Sequence, residues 1–325
     1  METIDIALAA DAAYFPGLLV TAVSLARHAS RERSLRINVL DGGIGAENRE
    51  FLERKLAEAH AACTVRYFDI DDRRFAAYPA WNGNGRMAYA RLLLPDLVTD
   101  ADWLVYCDVD FLWLADVAEL WKLRDPTRVL QARRDAVGTF LLKAEDEWYR
   151  ARGIEVDMND YVCTGLMIVN LAEFRRRQIA RTIFGFLGEH PDVLFVDQSA
   201  INAVVRENGF LDERWGAFSR WLSDADFHRS LAVHYSGCAP WCGGRWNKVI
   251  YGVDRHWYAF YAGLCGIGEW TARFRLLGVC DYFKRRLVYL LVTLPLVREF
   301  TFLALRVLGR GCYIPYFKEL CPVKR

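Results

Sequence analysis

Apolar and polar positions alternate between two periods over the first 70 residues. Ile4–Ala10 is a short apolar run ending at Asp11, with the length and content of a buried strand. Residues 14–29 follow with helical spacing, placing Leu18, Leu19, Ala22, Val23, Leu25 and Ala26 on one face. Leu35–Leu40, closed by Asp-Gly-Gly, reads as a second strand, and residues 46–62, charged on the outside, as a second helix. Residues 63–70 alternate like a third strand. Strand–helix–strand–helix–strand predicts a parallel, helix-covered sheet, and such sheets bind ligands at the carboxyl ends of their strands. Further along, 79–86 reads as a loop and 86–94 as helical. Cys163–Asn170 reads as an apolar strand leading into an Arg-rich helix over 171–185. Residues 196–205 read as a helix opening on Asp197, and Leu231–Tyr235 as a short strand. Neither an internal repeat nor a Gly/Pro-rich linker divides the chain.

Residues Leu104–Trp113, LVYCDVDFLW, interrupt this regular pattern with two acids inside an apolar run. On a strand, positions i and i+2 share a side, so Asp108 and Asp110 are predicted to face the same way. Two neighbouring carboxylates in apolar surroundings repel each other and pay for desolvation unless a cation lies between them. Hard oxygen ligands suit Mg²⁺ or Mn²⁺, which could hold a diphosphate. Asp116 reads differently, as the N-cap of a helix with Glu119 as capping-box partner.

Composition narrows the class. The chain has 325 residues, 53% hydrophobic and 14% aromatic, enough for one large α/β domain plus an appendage and too apolar for global disorder. Net charge is +1, but residues 271–325 hold 11 Lys and Arg against 3 acids. A basic, apolar tail on an acidic body predicts contact with an anionic membrane surface rather than with nucleic acid. Within that tail Leu287–Val297 is too short to span a bilayer, and Pro295, Arg298 and Glu299 interrupt the longer stretch, so interfacial helices are expected. The alternative is a helical subdomain packed on the body. The nine cysteines are odd in number and several lie in apolar runs, as expected of reduced thiols in a cytosolic protein. Cys238 and Cys242 lie near His234, yet no second pair completes a four-ligand zinc set. The first residues, METIDIALAADAAYF, lack a basic region and cleavage site, so no signal peptide is expected.

Several segments together resemble family 8 glycosyltransferases, the group containing glycogenin and the bacterial lipooligosaccharide galactosyltransferases. They are IALAADAAYFPGLLVTAVSL, INVLDGGIGAENRE, YARLLLPDL, DWLVYCDVDFLWLADVAELW, YVCTGLMIVNL, VDQSAIN and VHYSGCAPW, in that order over residues 4–246. The resemblance implies a GT-A fold: an α/β nucleotide-binding domain with a mostly parallel central sheet, here over 1–260, followed by a helical appendage over 261–325. It further implies transfer of a hexose from UDP-galactose or UDP-glucose with retention of configuration, on a lipopolysaccharide core or similar acceptor. The enzyme would be cytoplasmic and peripheral on the inner face of the plasma membrane.

By the same resemblance Ala9, Ala10 and Asp11 hold uracil and ribose, and Tyr14 stacks on the base. Arg91 contacts the diphosphate and sugar; Val109, Thr164 and Gly237 complete the donor-binding set. Asp108, Asp110 and His234 ligate the metal, the imidazole shifting preference from Mg²⁺ toward Mn²⁺. Asp197 and Gln198 lie beside the anomeric carbon, and Asp135 occupies the place of an acceptor-contacting acid. Three positions depart from the pattern. Ala13 and Cys163 stand where Asn is usual, and His234-Tyr-Ser-Gly-Cys-Ala-Pro-Trp lacks the usual Lys, for which Arg245 or Lys248 are candidate replacements. These departures support an alternative function, a catalytically inactive nucleotide-sugar or glycan binding protein. A nucleotidyltransferase would share the acidic site but would want a Gly-rich phosphate loop, and there is none.

Overall fold

A computed structural model describes residues 2–80, 85–135, 140–219, 224–236, 240, 241, 258 and 261–266. Gly237, Arg245, Lys248 and the basic tail 271–325 lie outside the described residues. The main sheet has seven strands in the order β3-β2-β1-β4-β7-β6-β8. Strands β1 (Thr3–Ala10), β2 (Ser34–Asp41), β3 (Cys63–Asp69) and β4 (Trp103–Cys107) are mutually parallel. Strand β7 (Val162–Asn170) enters antiparallel to β4 and to β6 (Leu130–Arg134), and β8 (Asn208–Phe210) runs parallel beside β6. A small second sheet sets β10 (Ala232–His234) between β5 (Phe111–Trp113) and β9 (Trp215–Phe218).

The expected first half is present in order: β1, helix 15–28, β2, helix 46–59, β3. Pro16 starts the first helix, where its missing N–H costs nothing. That helix buries Leu18, Leu19, Ala22, Val23, Leu25 and Ala26 against β1, each leucine contributing roughly 1.5–3 kcal/mol. A second core on the other face of the sheet joins Tyr89, Leu92, Ile183, Leu187 and Ala200 to Leu104, Tyr106 and Val169. Beyond residue 260, Tyr261, Ala262 and Cys265 pack into the first core, with the Tyr261 hydroxyl 3.2 Å from His28 Nε2.

Four local expectations need correction or refinement. Asp108 and Asp110 do not lie on a strand; they flank Val109 in a turn between β4 and β5. Residues 87–93 are a 3₁₀ helix, tighter than α, continuing into one α-turn over Leu94–Leu97. The helix expected over 171–185 breaks into Leu171–Arg176 and Ile179–Glu189, because Gln178 adopts a left-handed conformation at φ 52°. The capping box is half made: Asp116 accepts from Ala118 N–H at 2.9 Å, while the Glu119 carboxylate pairs with Lys122 at 2.6 Å.

Candidate active site and metal centre

The site forms where β4 stops. Two buried hydroxyls of the first helix hold the turn that follows. Thr21 Oγ1 lies 2.8 Å from the carbonyl oxygens of both Val109 and Phe111, and Trp113 N–H donates to Ser24 Oγ at 3.1 Å. The Asp108 N–H donates to the Gly165 carbonyl on β7 at 2.7 Å. With its backbone pinned on both sides, the turn brings Asp108 and Asp110 together without a strand between them.

Arg91, from the 3₁₀ helix, is buried behind Asp108. Its Nη2 donates to Asp108 Oδ1 at 2.8 Å, its Nη1 to the Thr164 carbonyl at 2.7 Å, and its Nε lies 3.1 Å from Asp197 Oδ2. Burial opposes its charge, but Asp108 and Asp197 hold the guanidinium more firmly protonated than usual. The Tyr106 hydroxyl also donates to Asp108 Oδ1, at 2.8 Å. Burial raises the Asp108 carboxyl above its ordinary range against the pull of Arg91, and Asp110 adds to the rise. A second cation beside the pair would reverse that penalty.

His234 ends β10 facing the acids, its Nε2 3.3 Å from Asp110 Oδ1. The ring stacks on Phe111 at 4.3 Å between centroids and lies against Phe218 at 5.5 Å, while Nδ1 sits 3.8 Å from Cys163 Sγ. Burial works against its charge, yet Asp110 and Cys163 raise the imidazole to about 10. One ligand atom each of Asp108, Asp110 and His234 lies within 4.8 Å of the others.

A divalent cation fits these residues on three counts. Asp110 Oδ1 is sealed from solvent with no well-formed hydrogen bond, and the imidazole nitrogen 3.3 Å away is a neighbour that a shared cation would replace. Gly165 keeps the space open: a Cβ there would lie 2.6 Å from His234 Cε1 and 3.1 Å from Asp108 Oδ2. Ligand atoms about 2.1 Å from an octahedral cation lie about 3.0 Å apart when cis and about 4.2 Å when trans, so groups already within 4.8 Å of one another need close by about 2 Å at most.

On the far side of Arg91, helix 196–204 begins at Val196, a β-branched residue at φ 42°. This left-handed start costs of order 1–3 kcal/mol and aims the next two side chains differently. Asp197 is buried against Arg91, its carboxyl raised to about 6 by burial against the opposing pull of Arg91. Gln198 is held at both ends: Thr164 N–H donates to its Oε1 at 3.1 Å, and its Nε2 donates to Asp135 Oδ2 at 2.9 Å. Asp197 lies in the first turn of this helix, whose N-cap is Phe195.

The remaining named residues lie at the end of β1. Ala9 and Ala10 close the strand, and Asp11 accepts from Tyr14 N–H at 3.0 Å. The Tyr14 ring is 41% exposed and meets Trp241 edge-on at 5.8 Å. The structure therefore gathers Arg91, Asp108, Val109, Asp110, Thr164, Asp197, Gln198 and His234 into one cluster, with Ala9–Tyr14 beginning on the adjacent strand. Several contributors went unread in the sequence. Thr21 and Ser24 are hidden in an apolar helical face, and Gly165 in an apolar strand. Tyr106 counted only as apolar context. A hydroxyl inside a buried stripe is the signal that marks the first two.

The parallel β3-β2-β1-β4 half, the antiparallel β7 and the acidic turn at the end of β4 define a GT-A-type α/β fold with a candidate metal-binding cluster. The sequence profile described as Glycosyl transferase family 8 matches residues 5–243, and the chain belongs to that family. General stress protein A of Bacillus subtilis (strain 168) is 28% identical over 222 residues, covering 66% of this chain and 74% of the relative. Among solved structures, the apo WbbM bifunctional glycosyltransferase superposes with TM-score 0.68 at 18% identity, over 85% of this chain and 52% of that one. The chain thus spans about half of WbbM. The galactosyltransferase LgtC in complex with donor and acceptor sugar analogues superposes with TM-score 0.65 at 24% identity, over 80% and 95%. At these identities the superpositions establish the fold.

Proposed function

We propose that this chain is a metal-dependent, retaining hexosyltransferase that moves galactose or glucose from a UDP-sugar to a glycan, a lipopolysaccharide core or similar lipid-linked saccharide. The observation that carries the reading is the convergence of Asp108, Asp110 and His234 on one point beside the doubly anchored Gln198. Mn²⁺, or Mg²⁺, held by Asp108, Asp110 and His234 would supply Lewis-acid stabilisation of the leaving diphosphate. Ala9, Ala10 and Asp11 would receive the uridine, with Tyr14 on the base; Val109, Thr164 and Gly237 are assigned to the donor by resemblance. Arg91 fixes the orientation of Asp108 and adds positive potential behind the diphosphate.

The reaction breaks the bond between the anomeric carbon and the β-phosphate oxygen and forms one to an acceptor hydroxyl oxygen. The acceptor proton passes to the departing phosphate oxygen on the same face. On the opposite face Gln198, immobilised by Thr164 and Asp135, presents an amide dipole to the oxocarbenium-like centre without rotating. A covalent intermediate on Asp197 is the less favoured route, because that carboxylate is sealed and paired with Arg91. Asp135 would meet the acceptor.

A second reading, an inactive nucleotide-sugar binding protein, draws on Cys163, whose thiol turns toward His234 Nδ1 at 3.8 Å where the family usually carries an amide. One assay separates the two: Mn²⁺-dependent hydrolysis of UDP-Gal, UDP-Glc and UDP-GlcNAc without acceptor. Turnover that Asp108→Asn and Asp110→Asn each abolish supports the enzyme. UDP binding with no turnover supports the binding protein, and full activity in either variant refutes the site.

The same reading assigns catalysis to 1–260 and, beyond Tyr261, Ala262 and Cys265, which pack into the first core, places the remainder of 261–325 on the inner, anionic face of the plasma membrane. Among the described residues no helix is long and apolar enough to cross a membrane. Salt-sensitive release from anionic vesicles, lost on deleting 271–325, is the expected result.

A further inference from the structure

Arg133 is buried on β6. Its Nε donates to the Arg134 carbonyl at 3.0 Å and its Nη1 to the Gly216 carbonyl at 2.7 Å, while Cζ lies 4.2 Å over the Phe218 ring. Among the described residues no carboxylate lies within ion-pair distance of it. A guanidinium carries five N–H donors, so three have no partner among the described residues. The contrast with its neighbours is chemical. Arg91, equally buried, faces two carboxylates, and Arg134, exposed, pairs with Asp160 at 3.3 Å.

A largely buried cation without a counter-charge loses hydration that nothing negative replaces. Two carbonyl dipoles and one ring face recover part of that but supply no negative charge. The position is also specific. Phe218 is the ring that flanks His234, so Arg133 stands one aromatic ring away from the metal ligands. Two residues on, just past the end of the strand, Asp135 holds Gln198. Gly216, at φ 87°, shapes the contact: its left-handed backbone excludes other residues, and a Cβ there would touch Arg133 Cδ at 3.4 Å.

We infer that Arg133 binds an anionic group, a carboxylate or a phosphate, carried by a saccharide substrate, and thereby selects acidic sugars. This rests on the hexosyltransferase reading for the identity of the substrates, though not for the existence of the anion site. A planar guanidinium with a free edge suits paired oxygen acceptors, and its fixed stack on Phe218 means little order is lost on binding.

Two titrations test it. In the first, D-glucuronate and D-glucose are titrated into protein saturated with Mn²⁺ and UDP. An acceptor-borne anion gives glucuronate at least about a tenfold advantage over glucose, lost in Arg133→Gln and kept in Arg134→Gln. In the second, UDP-glucuronate and UDP-glucose compete for the Mn²⁺-loaded protein. A donor-borne anion places the tenfold preference there instead, again levelled by Arg133→Gln. Arg133→Lys, which keeps charge without the planar fork, serves if the Gln variant does not fold, and is expected to weaken the preference several-fold. No preference for the acidic probe in either titration of the wild type overturns the inference, as does a preference that the Arg133 variants leave unchanged. UDP binding is read in the same experiments. Its absence defeats the hexosyltransferase reading, while the comparison of glucuronate with glucose still decides the anion site.

Discussion

Gly165→Ala tests the metal centre with one added methyl group and no change of charge. The new Cβ would sit 2.6 Å from His234 Cε1, 3.1 Å from Asp108 Oδ2 and 3.2 Å from His234 Nδ1. Ordinary carbon–carbon contact is about 3.5–4.0 Å, so the ring must retreat by roughly 1 Å. It has little room, with Phe111 stacked at 4.3 Å and Phe218 at 5.5 Å. Overpacking of this kind costs about 1–3 kcal/mol. Displacing a ligand costs more to the ion than to the fold: disturbed support of a metal ligand lowers affinity about 10–100-fold. The expected variant therefore folds, melts earlier, and binds Mn²⁺ at least tenfold more weakly by calorimetry. Gly185→Ala is the control. It lies within helix 179–189 with nothing within 4 Å of the added Cβ, and should gain about 0.5–1 kcal/mol. Wild-type Mn²⁺ affinity in Gly165→Ala would show that Asp108 and His234 do not share an ion.

Three further outcomes follow from the same geometry. Thr21→Val removes the hydroxyl beside the Val109 and Phe111 carbonyls, leaving buried acceptors unmet. A loss of about 1–3 kcal/mol by urea denaturation is expected, together with weaker Mn²⁺ binding. His234 is held protonated up to about 10 in the metal-free protein, so Mn²⁺ must displace its proton. Between pH 6.5 and 9 the apparent affinity should rise by about tenfold per unit, with proton release visible as a buffer-dependent heat; a flat profile excludes His234 as ligand. The same raised value stabilises the metal-free fold fully below the unfolded value, about 6.5, and that contribution fades as pH climbs through about 10. A melting temperature of the metal-free protein that rises over this range contradicts it.

The first three strands and two helices were legible because each change of hydrophobic period coincides with a turn signal, Asp11 or Asp-Gly-Gly. Strands β6, β8 and β9 were not. LQARR turns polar after Ala132, and the other two have three and four residues, too few for a period. The helix over 140–151 also went unread. Gln178 broke an apolar stripe that carries no Gly or Pro to announce it. The acidic pair does come together, but not on the premise that predicted it: tertiary pinning by Thr21 and Gly165, not strand geometry, brings the acids together. His234 joins them across 124 residues of sequence, a distance that only resemblance could bridge. The charge deficit at Arg133 was invisible for the same reason: counter-charge is a property of neighbours in space.

The helix over 15–28 begins beside Tyr14 at the corner where β1 ends and grips the acidic turn through Thr21 and Ser24. On the proposed reading its first turn would stand beside the nucleoside and its middle under the cation. A push on its first turn would then reach the Asp108–Asp110 turn through those two hydroxyls. Base recognition and metal geometry would in that case be coupled, and redesigning one without re-tuning the other is expected to leave a protein that binds its donor and fails to activate it.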